Sequence, residues 1–157
     1  WEPTTKRLLG HGALRFSRIE AAARSQMKFA RNKQGNRLGI NVRADGPIDY
    51  AALIVSGHKL WESRRTRSLD PYVGKRVGIV RTGAARATVV GSAIIGAAIA
   101  ANEKQFNELR SEHLVPIGST FDIEKGATKY LYPLVDCKQI KQRPVPKGSL
   151  GIIARKI

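Results

Sequence analysis

The chain of 157 residues is poor in several things at once. It has one cysteine, Cys137, so no intramolecular disulfide can form and no multi-cysteine zinc site exists. Its three histidines, His11, His58 and His113, stand at no metal-ligand spacing. Aromatic residues make up only 6%. The longest apolar stretch, Val89 to Ala101, is half Gly, Ala and Ser. It falls short of the ~20 residues that a membrane-crossing helix needs. Neither G-x-G-x-x-G nor G-x-x-x-x-G-K-[S/T] occurs, which leaves a nucleotide-binding phosphate loop without support. No metal and no cofactor is expected.

Acid is the most telling shortage. Twelve Asp and Glu face 28 Lys and Arg, a net charge of +16. Such an excess sets up a long-range positive potential that attracts polyanions. Apolar residues still make up 42%, enough for a packed core, so wholesale disorder is excluded. The length fits one domain with an appended arm.

The charge is unevenly spread. Residues 1–37 hold nine basic and two acidic residues, a net +7, and contain no valine. Within them Ser17 to Ala30 is expected to form a helix. Ser17 and Glu20 have capping-box spacing, and the following Ala-rich run favours helix. Ile19, Ala22, Ala23, Met27 and Ala30 form a weak apolar stripe. Arg18, Arg24, Lys28 and Arg31 line the polar faces. The segment reads as a basic N-terminal arm, either docked by its apolar side or laid along a phosphate backbone or larger assembly. An intracellular, reducing compartment is expected, cytoplasmic or, with Trp1 as a processed end, organellar.

Residues 38–157 read as the compact domain. Leu38 to Arg43 alternates as a strand. Asp45-Gly-Pro opens a short apolar helix from Ile48 to Ser56, and Gly57 follows where a left-handed C-cap is wanted. Further strands are expected at His58 to Arg67, Gly74 to Arg81, Ala87 to Ala97, Lys129 to Val135 and Leu150 to Ile157. A second helix is expected from Glu103 to Leu114 after Asn102. Many short strands with tight turns imply an α+β, mainly β fold: a small β-barrel with two short helices.

One motif carries chemistry. Gly57-His-Lys-Leu-Trp-Glu-Ser-Arg reads G-x-K-x-x-E-x-R, with Lys59, Glu62 and Arg64 in the specified places. Residues two apart on a strand share a face, so Glu62 and Arg64 point the same way. Lys59 lies at the helix–strand junction, where alternation need not hold, and can enter the same cleft. Alternatives stay open for each residue. Glu62 and Arg64 form a structural ion pair, or Arg64 contacts phosphate or base while Glu62 orients it. Lys59 is a solvated cation, a ligand contact, or a general base or nucleophile with a lowered pKa. Trp61 is core or a base-stacking platform. Between Lys59 and Arg86 lie eight basic residues (Lys59, Arg64, Arg65, Arg67, Lys75, Arg76, Arg81 and Arg86) against Glu62 and Asp70. The expected nucleic-acid contacts are these eight with Trp61 and Glu62. Lys59 and Glu62 are the candidates for catalysis.

The motif, the strand Gly-Ile-Val-Arg-Thr-Gly (78–83) and the late segment Lys125 to Leu134 resemble the ASCH domain family of the PUA-like barrels. The resemblance covers about 120 residues after Leu38 and leaves residues 1–37 outside. It implies a PUA-like barrel that recognises RNA in a cleft beside the motif. It also implies an enzymatic alternative, since some small members are acetylcytidine amidohydrolases or ribonucleases. The amidohydrolase pattern is G-x-K-T-x-T-x-R; Lys59 matches its lysine, but Leu60 and Glu62 replace the two threonines. The ribonuclease-type members carry a tyrosine six residues before the lysine; Leu53 stands there, with Tyr50 one helical turn earlier. Three readings follow: an RNA-binding module, DNA remaining open; a hydrolase on RNA or a modified nucleoside centred on Lys59; or a structural component of a ribonucleoprotein or viral assembly reached through residues 1–37. No membrane partner is expected.

Overall fold

The computed structural model describes residues 27–157. Seven strands run in chain order: β1 (Leu38–Arg43), β2 (Trp61–Arg64), β3 (Arg76–Thr82), β4 (Thr88–Ile95), β5 (Ile99–Ala101), β6 (Lys129–Pro144) and β7 (Ala154–Lys156). Among the described residues three short helices accompany them: α1 (Tyr50–Val55), α2 (Glu103–Glu108) and α3 (Arg110–His113). A single 3-10 turn spans Asp70–Tyr72. The strands form one curled sheet in the order β2-β6-β4-β3-β1-β7, with β5 also paired to β6. All pairs are antiparallel except β1 with β3. The expected mainly-β architecture is therefore present as a half-barrel, with β2 and β7 as its two edges, unjoined among the described residues.

Local chemistry explains the elements. In β1, Ile40 and Val42 are buried by strand alternation. Helix α1 starts one turn later than Asp45 implies, because Asp49 is its N-cap, accepting from Ala52 N at 3.1 Å. Gly57 ends the helical turn at φ +81°, a conformation that glycine adopts without steric cost. Asn102 and Gln105 form a capping box on α2. The expected Glu103–Leu114 helix is broken at Leu109, and Leu114 closes α3 with φ +62°.

Helix α1 fills the concave side of the sheet. Its Tyr50, Ala51, Ile54 and Val55 pack with Ile40, Ile79, Ala93, Tyr132 and other buried residues into the main core. A second cluster joins Trp61 and Leu131 to Phe106 and Leu109 of the α2–α3 region. Strand β6 links both. Gly91 of β4 permits the close approach of β6: a Cβ there would press on the Lys138 carbonyl oxygen and the Val55 side chain.

The helix expected from Ser17 lies outside the described residues as far as Gln26. From Met27 to Ala30 the chain is not helical. Phe29 forms a parallel bridge with Arg76, and Ala30 N donates to Arg76 O at 2.9 Å. Ala30 is buried in the main core; burying it against β3 replaces the helical hydrogen bonds. Among the described residues no helix is long and apolar enough to cross a membrane.

Candidate nucleic-acid interface

A cleft of about 440 Å³ opens between the two free edges of the curled sheet. β2 supplies one wall, with Glu62, Ser63, Arg64 and Arg65. β1 and the segment leading into β7 supply the other, with Asn41, Val42, Arg43, Gly151, Ile152 and Arg155. Tyr50, Lys59, Phe121 and Lys129 also line it. Among the described residues six cations (Arg43, Lys59, Arg64, Arg65, Lys129 and Arg155) thus surround one carboxylate, Glu62.

Lys59 is the most constrained of them. Gly57 turns the chain so that His58 N and Lys59 N both donate to Leu53 O. Leu60 N then bonds Glu112 O at 2.8 Å, tying the motif to α3. The Lys59 side chain is only 2% exposed. Its Nζ donates to the His113 carbonyl oxygen and stands 4.9 Å from the Tyr50 ring centroid. Burial disfavours the ammonium and brings its pKa down from 10.5 to about 8. Glu62 opposes that shift and Arg64 adds to it. Lys129, which donates to Phe121 O at 3.1 Å, is lowered in the same direction, mainly by burial and then by Arg65.

Glu62 and Arg64 share a face, as strand alternation implies. Glu62 Oε2 lies 3.3 Å from Arg64 Nη2, and Oε1 accepts from Ser63 N at 3.0 Å. Arg64 Nη2 also donates to Asn41 O at 2.6 Å, so one guanidinium spans from β2 to β1 where no ladder does. On the far wall, Arg155 Nε donates to Asn41 Oδ1 at 2.7 Å. Asn41 Nδ2 donates to Gly151 O and Ile152 O at 2.8 and 3.0 Å. Two hydroxyls in the lining, Tyr50 Oη and Ser63 Oγ, are buried without a hydrogen-bond partner among the described residues. Burial also raises the Tyr50 pKa to about 12, with Asp45 and Glu62 adding to the effect, so the phenol stays protonated.

The expected contacts divide into groups. Lys59, Glu62, Arg64 and Arg65 meet in the cleft. Arg65 is largely exposed, with only a 3.7 Å approach to Glu124. Arg67 is outside the lining, pairing with Asp70 at 3.5 Å and lying 5.0 Å from the Tyr130 ring. Trp61 is not a stacking platform here: it is 3% exposed and packed with Phe106, Leu109 and Leu131. Its side chain lies in the second core with the α2–α3 region and β6 instead of in the cleft lining. Arg76 is held by Asp136, Ser92 Oγ and the Asp136 carbonyl. Arg81 is held by Asp49 at 2.9 Å and Gln142 at 2.9 Å. Both are thus neutralised by partners far along the chain. Lys75 and Arg86 are exposed and do not line the cleft.

Asn41, Arg43, Lys129 and Arg155 also line the cleft, outside the motif and the basic run that follows it. They come from strands distant in sequence, and no local spacing marks them. In the sequence Tyr50 stands one helical turn before Leu53, the position of the ribonuclease-type tyrosine. The turn at Ser56–Gly57 nevertheless brings its ring beside Lys59.

No protein-family profile matches the sequence, and no curated protein matches it. Solved structures do. The chain superposes on the crystal structure of ASCH from Zymomonas mobilis with a TM-score of 0.55 and 20% identity, covering 68% of this chain and 73% of that one. A serine-to-alanine variant of the same Zymomonas mobilis protein gives a TM-score of 0.52 and 24% identity, covering 68% and 72%. The fold is thus ASCH-like, an α+β architecture built mainly of strands.

Proposed function

We propose that the cleft binds a nucleic acid, single-stranded RNA in the first instance. The reading rests on one observation: six cations gathered around a single carboxylate between two open sheet edges. Arg64 and Arg155 are held by Asn41 in fixed orientations, and fixed guanidinium forks suit phosphate and stacked bases better than mobile ammoniums. Two unpartnered buried hydroxyls add capacity for hydrogen bonds to a ligand. Splayed single strands, whose bases can enter a pocket, fit such a site better than a duplex. Fluorescence anisotropy with labelled single-stranded RNA and its DNA counterpart, between about 50 and 200 mM salt, tests this. Affinity should fall with salt at a slope of about −0.7 per neutralised phosphate. Absence of binding, or binding indifferent to salt, rejects the proposal.

A second reading, a hydrolase acting on RNA or a modified nucleoside, is favoured by the burial of Lys59. With a pKa of about 8, roughly a tenth of its amine is unprotonated at pH 7, so it can accept a proton or attack as a nucleophile. Turnover of RNA and of acetylated cytidine by the wild type and by Lys59→Ala decides the matter. Identical background rates in both remove this reading.

A further inference from the structure

The last 21 residues, 137–157, contain six basic residues and no acid. Their path through the fold gives that composition a use. Lys138 to Pro144 form the exposed end of β6. Among the described residues β6 pairs here with β4 alone; β2 and β5 pair further back, at Lys129 to Pro133. The chain then turns through Val145, whose N donates to Ala87 O at 3.2 Å, which sets this turn beside Arg86. It continues past exposed Lys147 to Gly151 and Ile152 on the cleft rim, and ends with Arg155 inside the cleft. The segment therefore runs, without an acid of its own, from the exposed end of β6 to the cleft; Asp136 meets it at Lys138, 3.8 Å away, and Arg81 links its Gln142 to Asp49.

We propose that this strip is a second contact surface, along which a single-stranded nucleic acid leaving the cleft is held by its phosphates. The proposal rests on the reading of the cleft as a nucleic-acid site. Lys141, Arg143 and Lys147 are the contacting residues. All three are exposed, and none has an acidic partner among the described residues. That separates them from Arg76 and Arg81, whose charge is spent on Asp136 and Asp49. Three exposed cations that no acid pairs among the described residues, on a segment with no acid of its own, suit a uniformly charged backbone. A protein partner would be matched by charges of both signs. Contacts of this type add affinity and salt dependence without reading sequence.

The experiment compares a trinucleotide with a single strand of about 15 nucleotides, within the span of one single-strand-binding module. The triple variant Lys141→Gln, Arg143→Gln, Lys147→Gln is measured beside the wild type. The expected result is unchanged trinucleotide binding. For the longer strand the salt slope becomes shallower by about 2, or 0.7 for each lost contact. A charge-keeping variant, Lys141→Arg, Arg143→Lys, Lys147→Arg, should retain the wild-type slope. If the triple variant binds the longer strand with the wild-type slope, the strip is refuted while the cleft reading stands. If it alters binding only to phosphatidylserine vesicles, the strip serves a lipid surface and the proposal is equally refuted. A wild type that binds neither oligonucleotide overturns both readings.

Discussion

The Lys59 ammonium faces the Tyr50 ring at 4.9 Å, and both side chains are buried. The ring's quadrupole favours the cation, and so does the His113 carbonyl that accepts from Nζ. Desolvation outweighs them, since the pKa falls to about 8. The site therefore holds a lysine close to the point of losing its charge.

That balance gives a pH signature. A folded pKa of about 8 against an unfolded 10.5 means that the unfolded chain binds more protons between those values. Stability from this group therefore rises with pH across the window, and is lost as pH falls through 8. Lys59→Met should be more stable than the wild type at pH 7, by up to roughly 3 kcal/mol. The difference should shrink above pH 8. Urea denaturation of both proteins at pH 7, 8 and 9 measures it; a pH-independent difference would contradict the buried, depressed lysine.

His113 is fully buried and stacked on Phe106 at 4.0 Å. Its Nδ1 accepts from Val115 N at 3.0 Å, so its Nε2, 2.7 Å from Phe106 O, carries the proton. Burial moves its pKa down from 6.5 to about 4. The stability of the neutral form is thus complete above pH 6.5 and lost as pH falls through 4. Nitrogen-detected NMR at pH 5.5 should show a neutral ring protonated on Nε2. His113→Gln should flatten the stability profile between pH 4 and 6.5.

Among the described residues Glu62 is the lone carboxylate in the cleft lining, and its Oε2 helps orient Arg64. Glu62→Gln removes one negative charge while keeping an acceptor. Affinity for any single strand should rise several-fold at low salt, with reduced discrimination between sequences. Anisotropy titrations against a small panel of oligonucleotides check this. Weaker binding throughout would mean that the carboxylate itself meets the ligand.

Trp61 belongs to the second core. Trp61→Phe should lower stability by roughly 1–3 kcal/mol through the cavity it leaves, yet leave oligonucleotide affinity unchanged at temperatures where the variant is folded. A loss of affinity without a loss of stability would return Trp61 to the site.

Where local pattern carries the information, sequence and structure agree. Leu38 to Arg43 alternates and becomes β1. Asn102 precedes α2 and caps it. Gly57 stands where positive φ is needed. The motif spacing puts Glu62 and Arg64 on one face, and the junction leaves Lys59 free to join them. Agreement ends where partners are distant. Met27 to Ala30 has helical character by composition, but Ala30 finds its hydrogen bond on Arg76 and its burial against the main core.

The sequence alone determined an overall charge of +16, a mainly-β architecture and the position of the motif. Tertiary structure decided which charges are available. Arg76 and Arg81 look like neighbours of Arg64 in the chain, but Asp136 and Asp49 hold them. Lys129 and Arg155 look remote and line the cleft. The cause is the long-range pairing of the sheet: β6 is brought beside β2 and β7 beside β1, and no local periodicity encodes which side chains then meet across the open edges.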